Sequence, residues 1–451
     1  MLSLEKFEVI RLLINMKRFS LYIIFSLVLT GLFSSCRPHD DDDPEVTPEM
    51  AKDSLYYIMK TYYYWYDLMP FVDKEDYSNP NDLLDAMRYL PLDLYWSFVA
   101  DYDEYLSEME EGTFVGHGIR VALSEDNKAR IAQIYKNAPL ALQGVKRGWI
   151  IKTINGYDLA QIMLDGDGEA YNAAFGPPTA GITNNFVFEK PDGSTVTISS
   201  TKASFTINSV ILFDTIWLDA TGTKKAGHLV FESFITPSSQ ELQTAFSFFK
   251  ANGVTDLILD LRYNSGGYLN IAQQLASYIG GNSLAGTAFA VLQYNNKLQA
   301  YNETFQFKTS SYSIGFPRVV VITTRMTASA SEAVMNGLAP HITVVSVGDT
   351  TMGKPVGMNG WACGEKYFFW PVTFKLVNSE GAGDYFEGIK PTQLTTDDLT
   401  RDFNDPEEKC LKEAIIYLKT GAFSGKGSIG FTRSKHYSEK PAWMNNMFVQ
   451  E

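Results

Sequence analysis

The chain has 451 residues, of which 45% are hydrophobic and 20% are charged, so it should fold into several packed globular domains. Its net charge of −14 argues against a general nucleic-acid-binding protein, because phosphate backbones attract basic surfaces. Three cysteines in a chain of this length exclude a disulfide framework and a cysteine-rich zinc site.

Residues 1–35 have the pattern of a signal peptide. Lys17 and Arg18 precede an uncharged run at 19–33, which is short for a membrane-spanning helix but suits a signal-peptide core. The run ends in small residues before Cys36 and resembles a bacterial lipobox, in which the cysteine is lipidated. The resemblance implies a lipoprotein of the outer membrane in a bacterial cell envelope, on its periplasmic or surface face. An ordinary secretory peptide is the alternative.

Residues 36–47 are predicted to be an acidic tether. Four consecutive aspartates at 40–43 stand between Pro38 and Pro44, a composition too polar to bury a core. An acidic run directly after the lipidated cysteine resembles the export signal of Bacteroidetes surface lipoproteins. A plain solvated linker is the alternative.

Residues 48–110 are rich in aromatic side chains whose spacing fits helices better than strands, so we predict an N-terminal helical subdomain. Its aromatic run at 62–66 could line a peptide groove, but such runs more often form a core, and we expect a core here.

Residues 111–206 consist of short β-like runs separated by turns, and we predict a small β domain. A glycine-containing loop, Gly116-His117-Gly118-Ile119, precedes a strand, and a short helix begins near Pro139. This order resembles a PDZ domain. The resemblance implies that the loop binds the carboxylate of a polypeptide and that the peptide adds to a strand edge. A small β barrel without a ligand is the alternative.

Residues 207–395 alternate strands and helices, which predicts a mostly parallel sheet. The remaining segment, 396–451, should contain one amphipathic helix at 407–418 and then an irregular tail. The main predicted strands of the central segment are 229–231, 256–261, 318–323 and 342–347, and its predicted helices are 238–251, 268–279 and 329–338.

Three loops that follow predicted strands, at 263–267, 327–332 and 348–354, carry unusual residues. Ligands of a parallel sheet collect at the carboxyl ends of its strands, so adjacent strands would bring these loops into one cleft.

The three loops could together serve acyl transfer. Ser329 begins a predicted helix, where backbone N–H groups favour developing negative charge. The amide of Ala330 is a candidate oxyanion donor, and Gly266 or Gly267 could supply a second. Lys354 could act as a general base only if burial lowers its pKa enough to leave it neutral.

Three sequence blocks then resemble the carboxyl-terminal processing peptidases of family S41: residues 260–267, residues 327–332 followed by Gly353-Lys354, and residues 387–392. The resemblance implies an α/β multidomain protein with a ClpP/crotonase-like parallel-sheet serine protease core, a PDZ-like β domain and the N-terminal helical subdomain. By the same likeness Ser329 and Lys354 form a catalytic dyad, and Asp260, Arg262 and Glu332 support it. An ion-pair network that orders the loops is the plainer interpretation of those three residues.

One position departs from the family pattern. Met358 stands four residues after the lysine, where the family commonly has Gln or Glu to orient the amine. Either the dyad works alone, or Asp349, Thr350 or Thr351 substitutes, or the site binds peptides without cleaving them.

The leading hypothesis is a lipid-anchored serine endopeptidase that cleaves extended or unfolded polypeptides, with the PDZ-like domain recruiting or gating them. A catalytically degraded peptide-binding lipoprotein is the alternative. An acyl-CoA enzyme of the related crotonase architecture is a third possibility, but the export signal opposes it. The five histidines are scattered through the sequence, so we expect no metal site and no cofactor.

Overall fold

The structure, a computed structural model, describes residues 46–425 together with the backbone of two short strands, His436–Ser438 and Met447–Val449. The described residues belong to one compact unit, Val46–Glu451. The predicted signal peptide, Cys36 and residues 36–45 of the predicted tether lie outside them. Within the described part of the chain, no helix has the length and apolar character needed to cross a membrane.

The N-terminal segment is mainly helical. Thr47 and Asn79 accept hydrogen bonds from amides in the first turns of α1 and α2, and each helix has a proline near its start. Tyr63 and Trp65 are buried, so the aromatic run contributes to the core. The segment also contains a strand that we did not predict, β1. Its elements are helix α1 (Pro48–Tyr62), helix α2 (Pro80–Met87), strand β1 (Phe98–Asp101), helix α3 (Tyr102–Tyr105) and a π-helical turn (Leu106–Glu110).

The next segment forms antiparallel strands around its own hydrophobic core. Phe186 and Phe188 stack at 5.4 Å between ring centroids, next to Ile131 and Ile151. Strands β3, β4, β5, β7 and β8 are neighbours in that order, and β2 pairs with β9. The elements are strands β2 (Thr113–Gly116), β3 (Ile119–Leu123), β4 (Ala129–Ile134), β5 (Ile150–Ile154), β6 (Tyr157–Asp158), β7 (Thr183–Glu189), β8 (Thr195–Thr201) and β9 (Ala203–Thr206), with helices α4 (Pro139–Leu142), α5 (Leu159–Asp165) and α6 (Gly168–Phe175).

The central segment builds the predicted sheet. Its strands lie in the order β10-β11-β12-β16-β17-β22, and every pair except β10–β11 is parallel. The elements are β10 (Val210–Trp217), β11 (Lys225–Phe231), α7 (Ser238–Ala251), β12 (Asp256–Asp260), β13 (Gly267–Tyr268), α8 (Leu269–Gly280), β14 (Ala288–Tyr294), β15 (Glu303–Gln306), β16 (Arg318–Thr323), α9 (Ala330–Leu338), β17 (Thr343–Gly348), β18 (Val356–Asn359), β19 (Trp361–Cys363), β20 (Tyr367–Trp370), β21 (Val372–Val377) and β22 (Gln393–Leu394).

The middle strands of this sheet are buried on both faces, which explains their nearly continuous apolar sequence. Ile258 and Val320 face a cluster that includes Leu411 and Ile415 of the C-terminal helix, α10 (Lys409–Thr420). The opposite face packs into the main core with residues of α7, α8 and α9. Each fully buried aliphatic side chain of this kind contributes about 1.5–3 kcal/mol, so the sheet is a rigid base for its loops.

The tail is not wholly irregular, and our prediction was wrong at two short segments. Strand β23 (His436–Ser438) pairs with β3, and strand β24 (Met447–Val449) lies in a second sheet of order β13-β24-β18-β21-β14-β15. These segments are three residues long, too short for an alternating pattern to be recognised. Their structure depends on strand edges that the rest of the fold provides.

Candidate active site

Three loops meet at the carboxyl edge of the parallel sheet, because β12, β16 and β17 are adjacent. Hydrogen bonds join the loops directly. The Thr327 hydroxyl donates to the carbonyl of Leu261 at 2.8 Å. The amide of Ala328 donates to the Asn264 carbonyl at 3.1 Å, and that of Met352 donates to the Thr327 carbonyl at 2.9 Å. The loops that carry the glycine pair, the serine and the lysine are therefore one connected body.

Ser329 has a strained backbone directly before α9. Its φ of 59° and ψ of −113° are unusual for a residue with a side chain. Such a conformation costs about 1–3 kcal/mol and persists only where the surroundings impose it. The side chain is buried, and its Oγ has no hydrogen-bond partner among the described residues. A buried hydroxyl at a helix N-terminus, held in this way, is available for chemistry.

The Glu332 carboxylate connects the serine to the lysine. Oε2 accepts the amides of Ser329 and Lys354, both at 2.8 Å. Oε1 accepts the Gly353 amide at 2.7 Å and the Thr351 hydroxyl at 2.5 Å. Since four donors point at the group, its ionised form is the one that the site accommodates. The backbone nitrogens of Ser329 and Lys354 therefore lie within two hydrogen-bond lengths of each other.

Burial changes the acid–base chemistry of this pair. The Lys354 side chain is buried, and desolvation lowers its pKa from 10.5 to about 7, although the charges of Asp93 and Glu332 oppose that change. Burial raises the pKa of Glu332 above its usual value, while its hydrogen bonds act against the rise. A large fraction of Lys354 is thus neutral near pH 7, as a general base requires.

Two residues of the N-terminal segment also affect Lys354, Trp96 through its nearby ring and Asp93 through its charge, and neither was among the predicted site residues. The Trp96 ring lies with its centroid 6.0 Å from Lys354 Nζ. Asp93 is fully buried and accepts hydrogen bonds from the Tyr63 hydroxyl at 2.7 Å and the Ser97 hydroxyl at 2.6 Å. No local motif points to either residue, because they meet Lys354 only through the tertiary fold.

The candidate oxyanion donors differ in their availability. No described residue accepts a hydrogen bond from the Ala330 amide. The Gly266 amide already donates to Asn264 Oδ1 at 2.9 Å, so it is engaged as placed. Gly267 has φ of 131°, and a Cβ there would lie 2.3 Å from the Phe234 carbonyl oxygen, so only glycine fits. Of the two predicted glycines, Gly267 is therefore the remaining candidate for the second oxyanion donor.

Asp260 and Arg262 belong to a buried ion-pair network. Arg262 Nε bonds Asp260 Oδ2 at 2.9 Å, and its Nη atoms reach Asp397 at 2.7 Å and Glu408 at 3.1 Å. Although burial alone would raise the pKa of Asp260, Arg262 holds it below its usual value. Asp397 also binds Arg147 of the β domain at 2.9 Å. The network joins three parts of the chain and orders the loop that follows β12.

The predicted peptide-binding loop is tightly packed. The ring of His117 is buried, with Nδ1 2.9 Å from Ser200 Oγ and Nε2 2.8 Å from Asn184 Oδ1. Desolvation lowers the pKa of His117 to about 4. Gly116 ends β2 and Ile119 begins β3. The His117 side chain therefore holds the loop in place, and any ligand would have to use the backbone.

A neighbouring glycine of that loop also serves packing. Gly118 has φ of 75°, and a Cβ there would lie 2.0 Å from the Cβ of Ala138. The loop can approach helix α4 this closely only because position 118 has no side chain.

Met358 is fully buried in β18 and belongs to the main hydrophobic core. Of the three residues considered as its substitute, Thr351 is the one that bonds the Glu332 carboxylate. Asp349 instead accepts the Thr350 amide at 2.7 Å.

The residues that the structure describes contain no group of three or more His, Cys, Asp or Glu side chains placed to hold a metal ion.

The chain resembles known proteins in two segments. Residues 225–394 match the family model of peptidase family S41, and residues 50–98 match that of the peptidase S41 N-terminal domain. The first match contains the three loops described above. The second contains Asp93 and Trp96.

Two curated relatives and one solved structure extend these matches. The chain is 27% identical to carboxy-terminal processing protease CtpB of Bacillus subtilis, over 63% of this chain and 56% of that one. It is 25% identical to a carboxy-terminal-processing protease of Bartonella bacilliformis, over 60% and 61%. The chain thus matches little more than half the length of these relatives. A solved Bacteroides fragilis protein described as an S41 protease shares the fold, with 24% identity, a TM-score of 0.66, and coverage of 84% of this chain and 99% of that one.

Proposed function

Because this chain belongs to peptidase family S41, we propose that it is a serine endopeptidase that cleaves extended or unfolded polypeptides with Ser329 and Lys354. The observation that carries the proposal is the pairing of these two residues across one carboxylate. A strained serine with an unpartnered hydroxyl and a buried lysine with a pKa near 7 both donate their amides to Glu332. This combination supplies a nucleophile and a base without histidine.

The reaction follows from these groups. Neutral Lys354 takes the hydroxyl proton while Ser329 Oγ attacks the substrate carbonyl. The oxygen that becomes negative is stabilised by the Ala330 amide and the positive end of α9, with Gly267 as the candidate second donor. Protonated Lys354 then gives its proton to the leaving amine, and an acyl-enzyme remains. Water, deprotonated by the same lysine, hydrolyses the ester and restores both residues.

Substrate delivery and membrane attachment are further parts of the proposal. The PDZ-like domain recruits or gates polypeptides, supported by the sheet at 119–201 and the loop before β3. The lipobox-like sequence at Cys36 supports a lipid-anchored protein of the bacterial cell envelope. A lipid would hold the protein beside the membrane. Because the protein is acidic, its overall charge would attract only basic polypeptides, so other substrates would have to be selected by the peptide-binding edge of the PDZ-like domain.

The test is hydrolysis of casein, an unfolded protein, by purified residues 36–451. Ser329→Ala and Lys354→Ala should each reduce the rate at least about 10³-fold, because nucleophile and base act as a unit. Lys412→Ala is the matched control, since that lysine lies half-exposed beside Glu407 and should not affect the rate. Equal rates for the parent and both site variants would show that the assignment is wrong.

A parent chain that binds casein without cleaving it would instead favour the peptide-binding lipoprotein. The buried Met358, which offers no orienting group to the lysine, is the observation that keeps this second function in consideration.

A further inference from the structure

The C-terminal tail adds a strand to two different sheets. In β24, Met447 lies opposite Gly267, and Phe448 lies opposite both Tyr268 and Met358. Both pairings are parallel. In β23, Tyr437 lies opposite Val121 of β3, and this pairing is antiparallel.

The first of these positions lies beside the proposed catalytic residues. Strand β13 begins at Gly267, and β18 begins two residues after Lys354, so both neighbours of β24 continue directly from catalytic loops. Because the pairing is parallel, the N-terminal end of β24 is the end nearest those loops. The space between β13 and β18 is therefore a slot that accepts an extended peptide through backbone hydrogen bonds on both sides.

The second position is the edge predicted to bind peptides. Strand β3 follows the loop at 116–119, and its other side is already paired with β4. Without β23, this edge of β3 would expose unpaired backbone groups. Addition of a strand to an open edge is how PDZ domains hold extended peptides.

We propose that the chain's own tail is an intramolecular competitor of the substrate, with β23 and β24 occupying the recruiting edge and the slot beside the active site. This inference rests on the proposed function, because it takes the slot to be the substrate path. One stretch of polypeptide supplies both strands, so the two positions are occupied by the same tail. Another polypeptide that binds at these positions would pair parallel to β13 and β18 and antiparallel to β3.

Tethering makes such competition effective. A segment on a short linker has an effective concentration of about 1 mM at its site, far above micromolar substrate. An external polypeptide would then bind weakly until the tail leaves, because apparent affinity falls with the fraction of open molecules.

The test measures binding separately from catalysis, in chains that carry Ser329→Ala. Phe448→Pro removes a ladder hydrogen bond from a strand that has neighbours on both sides. Ser428→Pro, which precedes both strands, is the matched control. A second variant ends at Gly425 and lacks the tail. This variant and Phe448→Pro are the two opened variants, because the tail strand is removed or weakened in each. The probe is a fluorescein-labelled peptide with the sequence of residues 436–451, followed by fluorescence anisotropy.

Both opened variants should bind the probe at least about tenfold more tightly than the Ser428→Pro control. Equal affinities, or no binding to the chain that ends at Gly425, would overturn the inference. Casein hydrolysis by the same variants with Ser329 restored reports on the proposed function independently. If opening the slot strengthens binding but no variant hydrolyses casein, the tail inference stands and the peptidase assignment fails.

Discussion

At the scale of single residues, the base role proposed for Lys354 would serve activity at the expense of stability. Its folded pKa of about 7 lies below the value of about 10.4 in an unfolded chain. The unfolded chain therefore holds the proton more strongly than the folded chain does. The cost of burial is largest below about pH 7 and disappears as pH rises toward the ordinary lysine pKa. Selection for stability alone would favour an apolar residue here.

The pKa of Lys354 predicts the pH dependence of catalysis. The base is active when neutral, so kcat/KM should fall about tenfold per pH unit below pH 7 and reach a plateau above it. The measurement is casein hydrolysis from pH 5 to 9. The falling part of the profile below pH 7 is its acid limb. Glu332→Gln should move this acid limb to lower pH, because loss of the nearby negative charge makes the lysine easier to deprotonate. A flat profile through pH 7 would contradict the role given to Lys354.

The strained backbone of Ser329 predicts a difference between two inactive variants. Both Ser329→Gly and Ser329→Ala remove the hydroxyl, but only glycine adopts a φ of 59° without steric cost. The free energy of unfolding of Ser329→Gly should exceed that of Ser329→Ala by about 1 kcal/mol. Urea denaturation of the two proteins makes the comparison. An alanine variant at least as stable as the glycine variant would show that the position is not strained.

At the scale of elements, long buried runs were predictable from the sequence and short paired strands were not. Helix Ser238–Ala251 and strand Arg318–Thr323 have the predicted bounds, because their apolar patterns are determined locally. Strand β1 was missed, although it pairs in register with β20. The same difference decides which site residues were predictable. Ser329 and Lys354 lie in recognisable motifs, whereas Asp93 and Trp96 come from a distant segment of the chain.

The N-terminal segment brings the ring of Trp96 to Lys354, which its sequence did not indicate. Trp96 stacks between Trp65 and Phe386, with centroid distances of 6.4 and 6.3 Å, and its ring lies 6.0 Å from the buried Lys354 Nζ. Trp96→Ala should admit water, raise the pKa of Lys354 and shift the acid limb of kcat/KM to higher pH. Trp96→Phe is the control, since it keeps an aromatic ring. An unshifted limb in the alanine variant would show that Trp96 does not affect the lysine.

At the scale of the whole molecule, the buried network around Arg262 connects the β domain, the parallel sheet and the segment before α10. Its carboxylates lie far apart in the sequence, so its partners could not be inferred from spacing, although Asp260 and Arg262 themselves could be singled out. The removal of one partner from such a network leaves a buried charge uncompensated. The network thereby joins the loop after β12 to Asp397 and Glu408, which precede α10.

The lipid anchor is a prediction about the whole molecule that rests on the sequence alone. When the full gene is expressed in a bacterium that processes lipoproteins, the protein should incorporate labelled palmitate and sediment with membranes. Cys36→Ser should abolish the label and release the protein, whereas Cys363→Ser, which changes a thiol in the folded body, should leave both unchanged. A parent protein without label would favour the ordinary secretory peptide, and equal labelling of the parent and Cys36→Ser would show that Cys36 is not the lipidated residue.

The most direct measurement of the central claim is covalent capture of the nucleophile. A fluorophosphonate that reacts with activated serines, followed by peptide mass spectrometry, should modify Ser329 in the chain that ends at Gly425. The labelling rate should rise with pH through about 7 and fall sharply in Lys354→Met, because the lysine removes the serine proton. Labelling at another residue, or an unchanged rate in Lys354→Met, would contradict the account.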